Sequence, residues 1–343
     1  MRIGVAVSGG TDSLFTAVLL REAGHEVLAL HAFFLPPTQE LRAKAEELGH
    51  ALRTLGCEFA AVDLSLQFEE QVIAPFERAY IQGLTPNPCA VCNPTMKFGL
   101  LSDEATNLGT ERIATGHYAR LWGEGDATRL MRGLDPIKDQ SYFLSLVPRE
   151  RLARAVLPLG DWTKEQVRAE LARRNLTPTL PSESQEICFV PDDDYCAFLC
   201  ARRADLPGPG PVALTDGTVL GRHQGLWRYT QGQRRGIGVA WSEPLYVLGK
   251  DTAANALIVG PREGILTNGC VARDVNLLVP PALWPEEILA QTRYRQRAEP
   301  AHVHLEGDRL HLDFSTPQTL PAPGQVAACY APDGTVLAGG VII

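Results

Sequence analysis

A short turn near the start of the chain, Ser8-Gly9-Gly10-Thr11-Asp12-Ser13, combines glycines with hydroxyl and carboxylate side chains. The apolar residues on either side predict a buried strand and a helix, so the turn aims backbone N–H groups at one point. A pyrophosphate group with its Mg²⁺ suits such a site, because Ser8 and Ser13 can donate hydrogen bonds to oxygens and Asp12 can help hold the metal. No lysine follows the glycines, so this is not the lysine-bearing phosphate loop. Taken alone, the pattern fits equally well an ordinary turn whose Ser and Asp cap a helix.

Two later segments place cysteines where sulfur chemistry is possible. Cys89 and Cys92 form a C-x-x-C pair, and the prolines of residues 86–94 predict that this pair lies in a rigid loop. Cys188 lies in a short apolar segment. The pair alone is compatible with a redox pair, half a zinc site or coincidence, and no second C-x-x-C completes a four-cysteine site. Two thiolates on mobile loops could form a persulfide and then resolve it. Cys196 and Cys200, four residues apart on a predicted helix, are predicted to be packing or idle thiols, and Cys57, Cys270 and Cys329 to be core residues.

Alternating strands and helices position these residues in the first part of the chain. Apolar segments at residues 26–34, 58–64 and 112–116 predict strands, and leucines at helical spacing over 41–55 predict a helix between the first two. This order is typical of βαβ units and a parallel sheet, so we predict an α/β domain over residues 1–205. Ligands bind at the carboxyl ends of such strands, where the Ser8 turn and Gly116 would both lie.

The character of the chain changes after Asp205. Alternating prolines and glycines at 207–211 predict a linker. Three turn pairs farther along, Asp216-Gly217, Gly307-Asp308 and Asp333-Gly334, predict β-hairpins. We therefore expect a small β-rich central domain over residues 206–266 and a C-terminal β-barrel or sandwich over residues 267–343.

Length and composition describe an ordinary globular protein of two or three domains, with 343 residues, 45% hydrophobic and 21% charged. The net charge of −8 argues against non-specific binding of nucleic acid by bulk charge, although it leaves room for a local basic surface. No apolar run is long enough to span a bilayer, and the first apolar stretch leads straight into the glycine turn, which predicts no membrane segment and no secretory signal. Eight cysteines without an export signal favour the reducing cytoplasm.

A series of further motifs follows the Ser8 turn in order along the chain. They lie at 85–88, 92–93, 97–98, 114–118, 132–135, 138–144 and 187–189, then at 225–226, 232–236, 292–295, 323–325 and 339–343. With these motifs the chain resembles the tRNA-specific 2-thiouridylases from end to end. The resemblance implies an ATP pyrophosphatase-type α/β domain, and ATP-dependent replacement of O2 by sulfur on the wobble uridine of certain tRNAs. It also implies a second partner, a protein that delivers sulfur.

The same resemblance assigns roles to individual residues. Cys188 would accept sulfur as a persulfide, and Cys92 would release that sulfur and close a disulfide with Cys188, while Asp12 would serve adenylation. ATP would be bound by Ala6, Val7, Ser8, Gly9, Gly10, Thr11, Asp12, Ser13, Ala32 and Gly116, with Phe33 beside Ala32. The target base would lie against Asn87, Pro88 and Cys89. The tRNA would be contacted by His117, Lys138, Asp139, Gln140, Arg293, Tyr294 and Gln325.

Several alternatives remain open on the sequence. Cys89 stands where some members of the family carry Asp, so Cys89, Cys92 and Cys188 could instead hold an iron–sulfur cluster with one open iron. A ligase of the ATP pyrophosphatase type would need no cysteine. An RNA-binding protein without catalysis is a third possibility, because residues 31–37 lack the aromatic-amide stretch expected of the family. The arginines of residues 293–297 suit RNA, but they also suit a solvated strand face.

Overall fold

A computed structural model describes residues 1–180 and 187–343 as three units of secondary structure. In these residues the strands are β1 (Arg2–Ala6), β2 (Glu26–Phe33), β3 (Glu58–Asp63), β4 (Arg112–Ala114), β5 (Ala119–Trp122), β6 (Arg129–Arg132), β7 (Ala155–Val156), β8 (Gly210–Leu214), β9 (Val219–His223), β10 (Tyr246–Asp251), β11 (Ala256–Gly260), β12 (Leu266–Leu277), β13 (Ile288–Gln291), β14 (Glu299–Glu306), β15 (Arg309–Thr319), β16 (Val326–Tyr330) and β17 (Val336–Ile342). The α-helices are α1 (Thr11–Glu22), α2 (Gln39–Thr54), α3 (Ser65–Phe68), α4 (Ala74–Ile81), α5 (Pro88–Cys92), α6 (Leu101–Asn107), α7 (Ser141–Leu144), α8 (Arg149–Leu152), α9 (Lys164–Arg173) and α10 (Tyr195–Arg202). None of the helices in these two ranges is long and apolar enough to cross a membrane.

The first unit is built on a parallel sheet, as the sequence predicts, and its strand order is β3-β2-β1-β4-β7. The central strand β1 is apolar on both faces because elements cover both sides of the sheet. On one face, Phe15 of α1 packs with Ile3, Val5 and Val27 in a continuous apolar core. Gly24 follows α1 with φ of +81°, which lets the chain turn directly into β2. The carboxyl ends of β1 and β4 therefore open at one edge of the sheet.

The C-x-x-C segment is helical, so the prediction of a rigid loop is wrong. Asn87 caps α5 by accepting a 3.2 Å hydrogen bond from the backbone N–H of Ala90, and Pro88 occupies the first helical position. Proline is favoured there because its missing N–H has no partner within a helix in any case. The chain continues into a wide helical segment, Asn93–Leu100, which is broken at Gly99.

Strands β8–β17 form two β units, in agreement with the predicted fold class, while β5 and β6 pair with each other in a two-stranded sheet. The central unit is a four-stranded sheet with the order β10-β11-β8-β9, and the last unit is a closed barrel, β12-β15-β14-β13-β16-β17. The predicted linker is shorter than expected, because Gly210 and Pro211 already belong to β8. Each predicted hairpin turn holds a glycine with positive φ: Gly217, Gly307 and Gly334. The exact domain boundaries stay predictions.

The barrel packs directly on the α/β unit through polar and apolar contacts. Tyr330 and Val326 share one apolar core with Tyr142, whose hydroxyl donates a 2.9 Å hydrogen bond to the Val326 carbonyl. The Asn276 amide donates to the carbonyls of Ser145 and Val147 at 2.8 and 2.9 Å. Because buried carbonyls need such partners, this interface holds the barrel in one orientation above the sheet.

Candidate active site

A cavity of about 1040 Å³ lies between the carboxyl edge of the parallel sheet and the barrel. With one exception, Gly9, every predicted nucleotide-binding residue lines it: Ala6, Val7, Ser8, Gly10, Thr11, Asp12, Ser13, Ala32 and Gly116. Phe34 lines the cavity instead of Phe33, whose buried ring lies 5.8 Å from the Arg42 guanidinium. From the other side, the barrel contributes Gln291 and residues 294–298. The fold thus joins the two halves of the chain at one pocket.

The Ser8 turn is held by its own hydroxyls and by two glycines. The Ser13 hydroxyl donates to the Gly10 carbonyl at 3.0 Å and accepts from the Ser8 backbone N–H at 3.2 Å. Gly9 has φ of +86°, a conformation that side chains disfavour. Gly116 approaches so closely that a Cβ there would lie 2.9 Å from Asp12 Cβ. The turn is therefore a preformed cradle whose backbone can approach a phosphate.

Asp12 is paired with a lysine that the sequence analysis missed. Lys164 Nζ lies 2.7 and 2.9 Å from the two carboxylate oxygens, and the Tyr118 hydroxyl donates to Oδ1 at 2.8 Å. A capping box of Thr163 and Gln166 starts α9, so that Lys164 stands at the first helical position. This lysine supplies the cation that the glycine turn lacks, from 152 residues away. The capping box marks a helix start, but nothing in it points to residue 12.

The three thiols of the resemblance lie in one region beside the cavity. Cys92 is buried at the end of α5, Cys89 is half-buried and Cys188 is exposed. Desolvation raises the pKa of all three thiols, that of Cys92 to about 12, while the Lys97 ammonium lowers each of them. In residues 1–180 and 187–343, only one group of three potential metal ligands has its ligand atoms within 4.8 Å of one another, and that group contains none of these cysteines. The three sulfur atoms are therefore more widely spread.

Lys97 connects this thiol region to the cavity, which it also lines. Its Nζ lies 3.5 Å from Nε2 of His117, whose Nδ1 lies 2.7 Å from the Thr115 hydroxyl. Because an ammonium can only donate, Nε2 accepts and the imidazole carries its proton on Nδ1. Burial holds the pKa of His117 well below its usual value. His117 is therefore a neutral group in the cavity wall at physiological pH.

Five of the predicted tRNA-contacting residues line the cavity: His117, Lys138, Asp139, Gln140 and Tyr294. Asp139 is buried, and its carboxylate accepts hydrogen bonds from Arg132 Nη1 at 2.8 Å, from the Gly133 N–H at 2.9 Å and from Ser141 at 3.0 and 3.1 Å. Its oxygens thus serve the internal structure. The Tyr294 ring packs 4.3 Å from that of Phe143, half-open to the cavity.

Two other predicted tRNA contacts, Arg293 and Gln325, do not line the cavity. Arg293 Nη2 donates to the carbonyls of Gln231 and Leu320 at 3.2 and 3.0 Å, which ties the central sheet to the barrel. Gln325 Nε2 donates to the Thr85 and Pro86 carbonyls, immediately before the segment predicted to meet the target base. Residues 293–297 form a turn between β13 and β14, so the alternative interpretation as a solvated strand face is wrong.

Family models match the whole architecture of the chain. The model of the tRNA methyl transferase HUP domain matches residues 1–192, that of the tRNA methyl transferase PRC-barrel domain residues 197–261, and that of the aminomethyltransferase β-barrel domain residues 267–343. Among solved structures, the chain is similar to a predicted subunit of a tRNA methyltransferase from Methanocaldococcus jannaschii. That match has a TM-score of 0.34 and 17% identity over 54% of this chain and 94% of the other, a likeness too low to support an argument.

Curated relatives match over their full length. A tRNA-specific 2-thiouridylase MnmA from Nitratidesulfovibrio vulgaris (strain Miyazaki F) is 57% identical, over 100% of this chain and 99% of that protein. Proteins of the same name from Oleidesulfovibrio alaskensis and Lawsonia intracellularis are 56% and 47% identical, again over 100% of this chain and 99% of each relative. Identity at this level across all three units leaves one assignment: the chain belongs to the tRNA-specific 2-thiouridylase family.

Proposed function

We propose that this protein uses ATP to replace O2 of the wobble uridine of tRNA with sulfur. The observation that carries the proposal is the shared cavity, in which the Ser8 turn and the barrel residues 294–298 face each other, with Lys97 leading to the thiols. The family names of its relatives support tRNA as the substrate. ATP use follows from the pyrophosphatase-type turn and the HUP domain.

The first half-reaction is adenylation of the base. The uridine O2 attacks the α-phosphorus of ATP, the bond to the β-phosphate oxygen breaks, and pyrophosphate leaves. The backbone N–H groups of the turn and the Lys164 ammonium stabilise the charge on the departing phosphates. Asp12 would help hold Mg²⁺ in exchange for part of its contact with Lys164, and the ion would neutralise phosphate charge when bound.

The second half-reaction transfers sulfur. The terminal sulfur of a Cys188 persulfide attacks C2 of the activated base, and AMP leaves with the former O2. The Cys92 thiolate then attacks the Cys188 sulfur, which breaks the bond to the transferred sulfur and leaves a Cys92–Cys188 disulfide beside the 2-thiouridine. An external dithiol must reduce that disulfide, and a donor protein must supply the next persulfide.

The different exposure of Cys188 and Cys92 agrees with these two roles. Cys188 is exposed, as a residue that receives sulfur from another protein must be, and Cys92 is buried in the core beside the target-base segment. Since the thiolate is the nucleophile, the raised pKa of Cys92 makes the Lys97 ammonium important for its reaction.

An iron–sulfur cluster on Cys89, Cys92 and Cys188 is the alternative sulfur carrier. The spread of the three sulfur atoms is too wide for one shared metal ion, whereas a cluster binds each cysteine to a different iron and so accommodates that spread. Iron analysis and visible absorption after anaerobic purification distinguish the two. An iron-free protein that still thiolates tRNA removes the cluster, and loss of activity together with iron establishes it.

The main test is mass spectrometry of nucleosides from tRNA incubated with protein, ATP and a sulfur source. We expect 2-thiouridine with the wild type and with Cys200→Ser, a matched control at an exposed cysteine of α10, and none with Cys188→Ser. Unchanged turnover of Cys188→Ser would favour a cysteine-independent ligase. Failure of the wild type to release AMP with cognate tRNA would favour an RNA-binding protein without catalysis.

A further inference from the structure

Four side chains that commonly bind metal ions meet on the outer face of one barrel hairpin. His302 and His304 lie two residues apart on β14, and His311 and Asp313 lie two residues apart on β15. The strands are antiparallel, with His302 opposite Asp313 and His304 opposite His311. Side chains two apart on a strand share a face, and opposite residues have neighbouring Cβ atoms, so the ladder itself brings all four together.

The tips of three of these side chains converge on one point. The Nδ1 atoms of His302 and His304 each lie 3.9 Å from Oδ2 of Asp313. The potential ligand atoms of these three residues all lie within 4.8 Å of one another, and no other such group occurs in residues 1–180 and 187–343. At 3.9 Å neither contact is a hydrogen bond, and each is an ion pair only when the imidazole is protonated.

The spacing suits ligands around a shared ion. Ligands at about 2.1 Å from a tetrahedral Zn²⁺ are separated by roughly 3.4 Å, so the two imidazole–carboxylate separations of 3.9 Å need to shorten by only about half an ångström. The side chains of His302, His304 and Asp313 are 77%, 45% and 65% exposed, which leaves them free to make that shift and leaves room for water ligands. The ring of His311 stacks 5.0 Å from that of His304 and adjoins the group.

We propose that His302, His304 and Asp313 bind one divalent transition-metal ion on the outer face of the β14–β15 hairpin. Two imidazoles and a carboxylate favour Zn²⁺, Ni²⁺ or Co²⁺ over Mg²⁺ and Ca²⁺, which prefer oxygen ligands. The ion cross-links two neighbouring strands. Residues 294–298 line the cavity and lead directly into β14, so the ion braces the strand that follows them.

Calorimetric titration of the full-length protein with Ni²⁺ tests the proposal. We expect one ion per chain at this site, with an affinity that falls about tenfold or more in His304→Ala and in Asp313→Asn. Asp313→Asn keeps the shape of the side chain, so a lost site there reflects the missing charge. His50→Ala, an exposed histidine of α2, is the matched control and should bind as the wild type does.

The cysteines offer a competing site for Ni²⁺. Absorption spectra recorded during the titration identify binding there, because thiolate-to-nickel charge transfer gives its own absorption bands. Identical titrations for the wild type, His304→Ala and Asp313→Asn would overturn the proposal. Binding that is accompanied by charge transfer and abolished only by replacing Cys89, Cys92 and Cys188 would overturn it as well. Coincident melting curves of the metal-free variants show that the comparison is made between folded proteins.

Discussion

Gln325 should act on catalysis by positioning the segment that meets the target base. Its Nε2 donates to the carbonyls of Thr85 and Pro86 at 2.9 and 3.3 Å. The Thr85 N–H donates to the Pro323 carbonyl at 2.8 Å, so the barrel grips this segment from two sides. Asn87 and the C-x-x-C helix follow at once. Replacing Gln325 with Ala removes both of its bonds to this segment and leaves the backbone bond between Thr85 and Pro323 in place.

The two bonds set the size of the effect. An amide hydrogen bond contributes about 0.5–1.5 kcal/mol net, so the pair contributes about 1–3 kcal/mol to holding residues 85–86 in place. Losing that free energy would lower the population of the correctly placed segment by a factor of about 5 to 150. We expect the thiolation rate at saturating tRNA to fall about tenfold, and the tRNA dissociation constant to change by less than about threefold.

Single-turnover thiolation with persulfide-loaded protein measures the rate, and filter binding measures the tRNA affinity. Gln325→Glu should be slower than Gln325→Ala, because a carboxylate would face the two carbonyls without a proton to donate. Gln39→Ala, at an exposed glutamine of α2, is the control. A wild-type rate for Gln325→Ala would refute the reasoning. Loss of tRNA affinity alone would make Gln325 a direct tRNA contact, as the resemblance implies.

Three further substitutions test the site and the domain interface. Lys97→Met should move the pH–rate profile of sulfur transfer to higher pH, because the Lys97 ammonium lowers the thiol pKa values. Lys97→Arg, which keeps the positive charge, should move the profile less, and an unmoved profile for Lys97→Met would contradict this role. Gly116→Ala should weaken ATP binding about tenfold or more in a nucleotide titration, since its Cβ would lie 3.0 Å from the backbone carbonyl carbon of Asp12; unchanged affinity would contradict it. Arg132→Ala leaves the buried Asp139 carboxylate without its cation, so the free energy of unfolding in urea should fall by about 3 kcal/mol, and an unchanged midpoint would show that the pair contributes nothing.

Local features of the sequence were enough to predict much of the fold. The strands of the parallel sheet, the strand–turn–helix around Ser8 and the glycine hairpin turns each depend on a few consecutive residues, whose backbone preferences act locally. The prolines around Cys89 misled the prediction, because proline disrupts a helix interior but favours its first turn, where Pro88 lies.

Contacts between distant residues were decided by the tertiary structure alone. The pairing of Lys164 with Asp12 spans 152 residues, and that of Gln325 with Thr85 spans 240. The burial of Cys92 likewise depends on packing around α5, and the metal-ligand group depends on the register that sets His302 opposite Asp313. A shift of one residue in that register would turn these side chains to opposite faces. Sequence determined the elements of this protein because their preferences are local. The structure decided its site, because strand order, register and packing depend on the whole chain at once.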